Sequence, residues 1–83
     1  MSSETRIAVV AIIVEDVLAS PMVNEVLHRF GDMVVGRLGI PYREKRLNVI
    51  SVVVDGVPDR ISALTGQLGK IDGVTVKAAV SKK

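Results

Sequence analysis

HRFGDMVVGRLGIPYREKRLNVISVVVD, residues 28–55, holds two strand-like runs on either side of a charged turn. Phe30 and Gly31 have the form of a helix end followed by a C-terminal stop. Met33 to Gly39 is a strand weakened by Gly36 and Gly39, and the polar Arg37 within it suggests a sheet edge. Ile40 to Arg46 combines Pro41 with a charge cluster, so a seven-residue turn is expected there. From Leu47 to Asp55, the set Leu47, Val49, Ser51, Val53 alternates with Asn48, Ile50, Val52, Val54, the period of a strand.

Upstream, Arg6 to Val14 is rich in β-branched residues and alanines and apolar on both alternating sets, the pattern of a central strand covered on both faces. Glu15-Asp16 ends it. Ser20-Pro21 then resembles an N-cap with proline at the first helical position, and Met22, Val23, Val26, Leu27 and Phe30 form one apolar helical stripe. Downstream, Gly56 breaks the strand and Pro58-Asp59 opens a helix striped by Ile61, Leu64, Leu68 and Ile71. Asp72-Gly73 is a turn, and Val74, Val76, Ala78 and Val80 alternate along a last strand.

The order β-α-β-β-α-β predicts an α+β, ferredoxin-like sandwich: a four-stranded antiparallel sheet with two helices on one face. The first and third strands belong in the middle, the second and fourth at the edges. Helices on one face leave the other open, yet both alternating sets of the first strand are apolar. That face or a sheet edge is therefore expected to be buried in a homo-oligomer, a dimer or tetramer, through Val9, Ala11, Val49 and Val53.

Composition narrows the class. With 83 residues, 48% of them hydrophobic, the chain is read as one domain over 1–83, with 1–5 and 81–83 flexible. The absence of cysteine excludes disulfides and thiolate metal sites. MSSETR lacks the layout of a signal peptide, and the apolar run Ile7 to Val14 is too short to span a bilayer. A cytoplasmic protein without membrane partners is the expectation. A net charge of +2 gives no strong reason to invoke nucleic acid.

VED at 14–16, VNEVLHRFGDMVVGRLGIPYRE, NVISVVVD and ISALTGQLGKIDGVTVKAA together resemble a small bacterial family described as regulators of the iron-only hydrogenase system. The likeness runs from about Val9 to Ala79, and the combination of L-H-x-F-G-D, G-R-L-G-I-P-Y and L-G-x-I-x-G-V-x-V-K carries it. The resemblance implies a fold similar to ACT ligand-sensing domains and to the C-terminal domain of nickel-responsive regulators. It also implies an oligomeric sensor linked to transcriptional control. Two departures bear on the ligand. The loop Glu15 to Ser20 lacks the glycine usual in amino-acid-binding ACT domains, and Arg37, Leu38, Asn48 and Ser51 occupy the middle strands where the nickel regulators use His and Cys. All 83 residues are taken up by the sensor-like fold, so the separate DNA-binding arm of those regulators is not expected.

Candidate ligand-binding residues are Glu15, Asp16, His28, Arg37, Gly39 and Tyr42. Arg37 between Gly36 and Gly39 suits an anion, since glycine permits close backbone approach; a salt bridge to Asp32 or Glu44 is the alternative. Tyr42 beside Pro41 suits a pocket cap or a packing plug. Glu15-Asp16 reads as an acidic pair or as loop-solvating carboxylates. His28 with Glu25 gives E-x-x-H, better explained as a surface helix pair than as a metal site; His28 could also bond across an oligomer interface. Gly66 and Gly69 suggest close helix packing and helix termination. No nucleophile–base pair, metal cluster or phosphate loop appears, so no enzyme, cofactor or metal is expected. The leading expectation is a regulatory, small-ligand-sensing homo-oligomer. The alternatives are a nucleic-acid-binding regulator using the basic turn Arg43, Lys45 and Arg46, or a ligand-free protein-interaction module.

Overall fold

The computed structural model describes residues 4–83; residues 1–3, part of the start expected to be flexible, lie outside the described residues. Strand β1 (Arg6–Val14) leads through a 3-10 turn (Val17–Ala19) into helix α1 (Ser20–Arg29). A second such turn (Gly31–Met33) precedes β2 (Val34–Tyr42), and a third (Arg43–Lys45) joins β2 to β3 (Leu47–Gly56). Helix α2 (Pro58–Gly69) and strand β4 (Val74–Val80) complete the order. The four strands form one antiparallel sheet in the order β2-β3-β1-β4, which places β1 and β3 in the centre as expected for the ferredoxin-like arrangement.

Alternation along the central strands divides the sheet into two faces. Ala8, Val10, Ile12 and Val14 of β1 and Ile50, Val52 and Val54 of β3 are buried beneath the helices. There they meet Val23, Val26, Leu27 and Phe30 of the α1 region and Ile61, Leu64 and Leu68 of α2. Met22, expected in the α1 stripe, is instead exposed, because its position falls on the outer side of the helix. Arg60 at the start of α2 fixes the two helical units together. It donates to both carboxylate oxygens of Asp32, in the turn after α1, and its guanidinium lies 5.4 Å from the Phe30 ring centroid.

Three local expectations are corrected. Strand β2 continues through Pro41 to Tyr42 instead of ending at Gly39, with Pro41 opposite Asn48 and Tyr42 opposite Leu47. Proline is tolerated because β2 is an edge strand, where one side of the backbone has no ladder to serve. The connection is correspondingly shorter and closes at Arg46, which adopts a left-handed φ of 56°. The α1 entrance is organised by Asp16 instead of Ser20: the Leu18 N–H donates to Asp16 Oδ1 at 3.0 Å, capping the 3-10 turn that feeds the helix. Finally, Gly66 is not a close-packing position, since a Cβ there would meet nothing within 4 Å.

Gly73, by contrast, is sterically required. Its φ is +79°, and an added Cβ would lie 2.6 Å from Asp16 Cβ. The same glycine's carbonyl accepts from the backbone N–H groups of Glu15 and Asp16, at 2.7 and 3.2 Å, tying the β1 exit to the β4 entrance. At the far end of the sheet, the Ser81 N–H donates to the Ile7 carbonyl at 2.8 Å and extends the β4–β1 pairing.

Candidate functional site

The sheet face opposite the helices is apolar and exposed. Register places Ile7, Val9, Ala11 and Ile13 of β1 beside Val49 and Val53 of β3 on that face, flanked by Leu38, Ile40 and Tyr42 of β2. Lys77, Ala79 and Thr75 complete it on β4. Ile7, Val9, Leu38, Ile40 and Tyr42 are each between 42% and 61% exposed, far outside a normal core environment. Charges of both signs rim or punctuate the face: Lys77 on β4 and Asp55, which pairs with Ile7, on β3.

On the helix side, α1 does not reach far enough to cover the edge strand. A cleft of about 260 Å³ opens between them, lined by Ser20, Asn24, Arg37, Gly39, Ile40, Pro41, Asn48 and Ile50. A neighbouring hollow of about 400 Å³ shares Asn24 and Arg37 and adds His28, Leu27, Gly31, Val34 and Val52. Arg37 reaches the helix side because it pairs with the buried Val52 in the β2–β3 register. Its Nη2 donates to Asn24 Oδ1 at 3.3 Å. The two carboxylates expected as its structural partners are not used: Asp32 pairs with Arg60, and among the described residues no ion pair involves Arg37 or Glu44. Across the cleft, Asn48 Nδ2 donates to Ser20 Oγ at 3.1 Å, pinning the start of α1 to the start of β3.

The six residues singled out from sequence occupy three places. Arg37, Gly39 and His28 gather around the cleft and its neighbouring hollow. Glu15 and Asp16 sit on the β4 side, where Thr75 Oγ1 donates to Glu15 Oε1 at 2.8 Å and Asp16 serves as a cap. Tyr42 projects from the open-face set of β2 and flanks a separate apolar hollow with Val17, Pro41, Leu47 and the basic Arg43 and Arg46. Asn24, Asn48 and Ser20 were not among the candidate ligand-binding residues read from the sequence. They are polar residues of ordinary surface type, and only the topology joins one from β3 to two from α1. Glu25 of the E-x-x-H motif lies 3.9 Å from Arg29, and no group of metal-ligating side chains occurs among the described residues.

The perturbed titrating pair lies away from the cleft. The hydrogen bonds from Arg60 hold the Asp32 carboxyl below its ordinary value of 3.8, and the same bonds raise the Arg60 guanidinium. Among the described residues no helix is long and apolar enough to cross a membrane.

Fold and site geometry are those of an α+β sandwich with an open sheet face and a polar edge cleft. Comparison with known proteins places it further. Residues 6–78 match the family described as "TM1266-like: Iron-only hydrogenase system regulator, putative". The uncharacterized protein TM1266 from Thermotoga maritima, of known structure, is 41% identical and superposes with a TM-score of 0.91 over 95% of this chain and all 100% of that one. The chain belongs to this iron-only hydrogenase system regulator family. CPII, a nitrogen regulatory PII-like protein from Thiomonas intermedia K12 solved with ADP, AMP and bicarbonate, is 16% identical over 98% of this chain and 99% of that one, with a TM-score of 0.46. A search of curated proteins returns no match.

Proposed function

We propose that this protein is a small-ligand-sensing, homo-oligomeric regulator whose ligand biases its assembly and thereby its contacts with the transcriptional control of a hydrogenase system. One observation carries the reading: edge strand β2 serves two surfaces at once. Leu38, Ile40 and Tyr42 belong to the open apolar face, while the intervening Arg37, Gly39 and Pro41 line the cleft beside α1. A ligand that draws β2 toward α1 displaces the alternate side chains on the other face. A molecule with unequal affinity for two assembly states shifts the balance between them by that difference.

The open face fits a second copy of the chain. It is built from β-branched and aliphatic side chains that a like face complements, and its Lys77 and Asp55 supply both signs for pairing across a symmetric interface. Native mass spectrometry of protein purified gently from its own host tests this. A dimer or tetramer with extra retained mass is expected, and Val9→Asp or Val53→Asp is expected to give monomer. A wild-type monomer, or a variant mass unchanged from the wild-type oligomer, removes the proposal. Retained nucleic acid, lost steeply as salt is raised, would move the function to the basic hairpin instead.

A further inference from the structure

We infer that the cleft between α1 and β2 is a binding site for a small organic acid, with Arg37 as the ion partner of its carboxylate. This deepens the ligand-sensing reading and rests on it. The argument starts with charge. The cleft and its neighbouring hollow are lined by Arg37 with no Asp or Glu in either set of walls. The arginines of two other hollows have acidic neighbours, while Arg43 and Arg46 border a separate, largely apolar hollow at the β2–β3 hairpin. Arg29 lies beside Glu25 in the groove between the helices, and Arg6 shares its hollow with Glu4 and Asp59. Unlike Arg6 and Arg29, Arg37 has no carboxylate lining its concavity, and its partner there is the neutral Asn24 amide. A guanidinium in such a place favours an anion, and its planar fork matches a carboxylate with two parallel hydrogen bonds.

The remaining polar groups set the class of acid. Asn24 Oδ1 is occupied by Arg37, which leaves the Asn24 amide N–H groups as donors. Ser20 Oγ accepts from Asn48, which leaves the Ser20 hydroxyl as a donor and the Asn48 carbonyl oxygen as an acceptor. Donors and an acceptor therefore stand beside the guanidinium, a set suited to an acid with a neighbouring hydroxyl or keto oxygen. Pro41 and Ile50 supply the apolar wall, and Gly39 leaves the floor open: a Cβ there would meet nothing within 4 Å.

Phosphate is a poorer occupant. A dianion calls for more than one cation, and the first two residues of α1 offer no free amide as a substitute. The Ser20 N–H donates to the Val17 carbonyl, and Pro21, next in the helix, has no N–H.

The test is a titration of the ¹⁵N-labelled full chain with sodium glycolate, pyruvate and acetate, followed by NMR, with sodium chloride and inorganic phosphate at matched ionic strength. Saturating shifts of the Arg37 Nε–H and the Asn24 and Asn48 side-chain amides are expected with glycolate and pyruvate, weaker ones with acetate, and none that saturate with chloride. Arg37→Gln is expected to weaken the response about tenfold or more. Asn24→Asp keeps Arg37 but gives it a built-in carboxylate, so it is expected to abolish binding while leaving the rest of the spectrum folded. Silence toward all three acids, equal shifts with chloride, tighter binding of phosphate, or undiminished affinity in both variants each overturns the inference. Translational diffusion on the same samples separates the two readings. An assembled protein that ignores the acids sinks only the site, whereas a monomer that binds them sinks only the assembly.

Discussion

Two glycines show how differently the same residue type is held here. Gly73 combines a φ of +79° with an approach that would set a Cβ 2.6 Å from Asp16 Cβ. Gly66 lies exposed within α2 with open space where a Cβ would go. Gly73→Ala is expected to destabilise the fold by roughly 1–3 kcal/mol, through left-handed strain and displacement of the β1 exit. Gly66→Ala is expected to stabilise it by about 0.5–1 kcal/mol by restricting the unfolded chain and favouring the helix. Urea unfolding of the two variants beside the parent measures both, and equal signs would contradict the geometry. In sequence, Gly73 stood out as a turn because Asp72 precedes it; its contact with Asp16, 57 positions away, is a product of the fold. Arg37 was visible for the same local reason, a charge set between two glycines, but its neighbour Asn24 was not, since nothing in either segment marks the pair.

At the scale of elements, the clamp between Asp32 and Arg60 joins the turn after α1 to the first turn of α2, assisted by Arg29 donating to Gln67 Oε1 at 3.0 Å across the helices. The Asp32 carboxyl is held below its ordinary value of 3.8 by the hydrogen bonds from Arg60. A depressed carboxyl binds its proton less tightly in the folded state than in the unfolded one. Its contribution is therefore present above the unfolded value and lost as pH falls through the folded one. Both side chains are well exposed, at 39% and 66%, so solvent screening keeps the effect modest. Asp32→Asn is expected to lower the thermal midpoint slightly at neutral pH, with the gap from the parent closing as pH drops below 3.8. A gap that stays constant with pH would mean the clamp acts by shape and not by charge. Element order and the core faces of β1, β3 and α2 were legible because hydrophobic period alone specifies them. The end of β2 was not: local chemistry marks Pro41 as a turn residue, and only its place on a sheet edge makes it acceptable as strand.

For the molecule as a whole, the open face decides how stability should depend on concentration. A domain of this size buries only roughly 60% of its unfolded surface, which leaves it marginal on its own. Here Val9, Ile13, Val49 and Leu38 are left at 38–61% exposure on one continuous face. If that face is closed by a second copy, folding and association are linked, and mass action raises the unfolding midpoint as protein concentration rises. For a dimer, each tenfold increase adds about 1.4 kcal/mol to the free energy of dissociating and unfolding the pair. Val53→Asp places a charge in the middle of the face and is expected to flatten this dependence while leaving a folded monomer, because Val53 points away from the helix-side core. Leu64→Ala, at a position with no exposure, is expected to cost about 2–5 kcal/mol and to lower the midpoint at every concentration, with the dependence intact. Denaturant melts across three decades of concentration distinguish these behaviours. A parent protein whose midpoint ignores concentration would show that the apolar face is not an interface between copies, and the coupling proposed through β2 would have no second state to act upon.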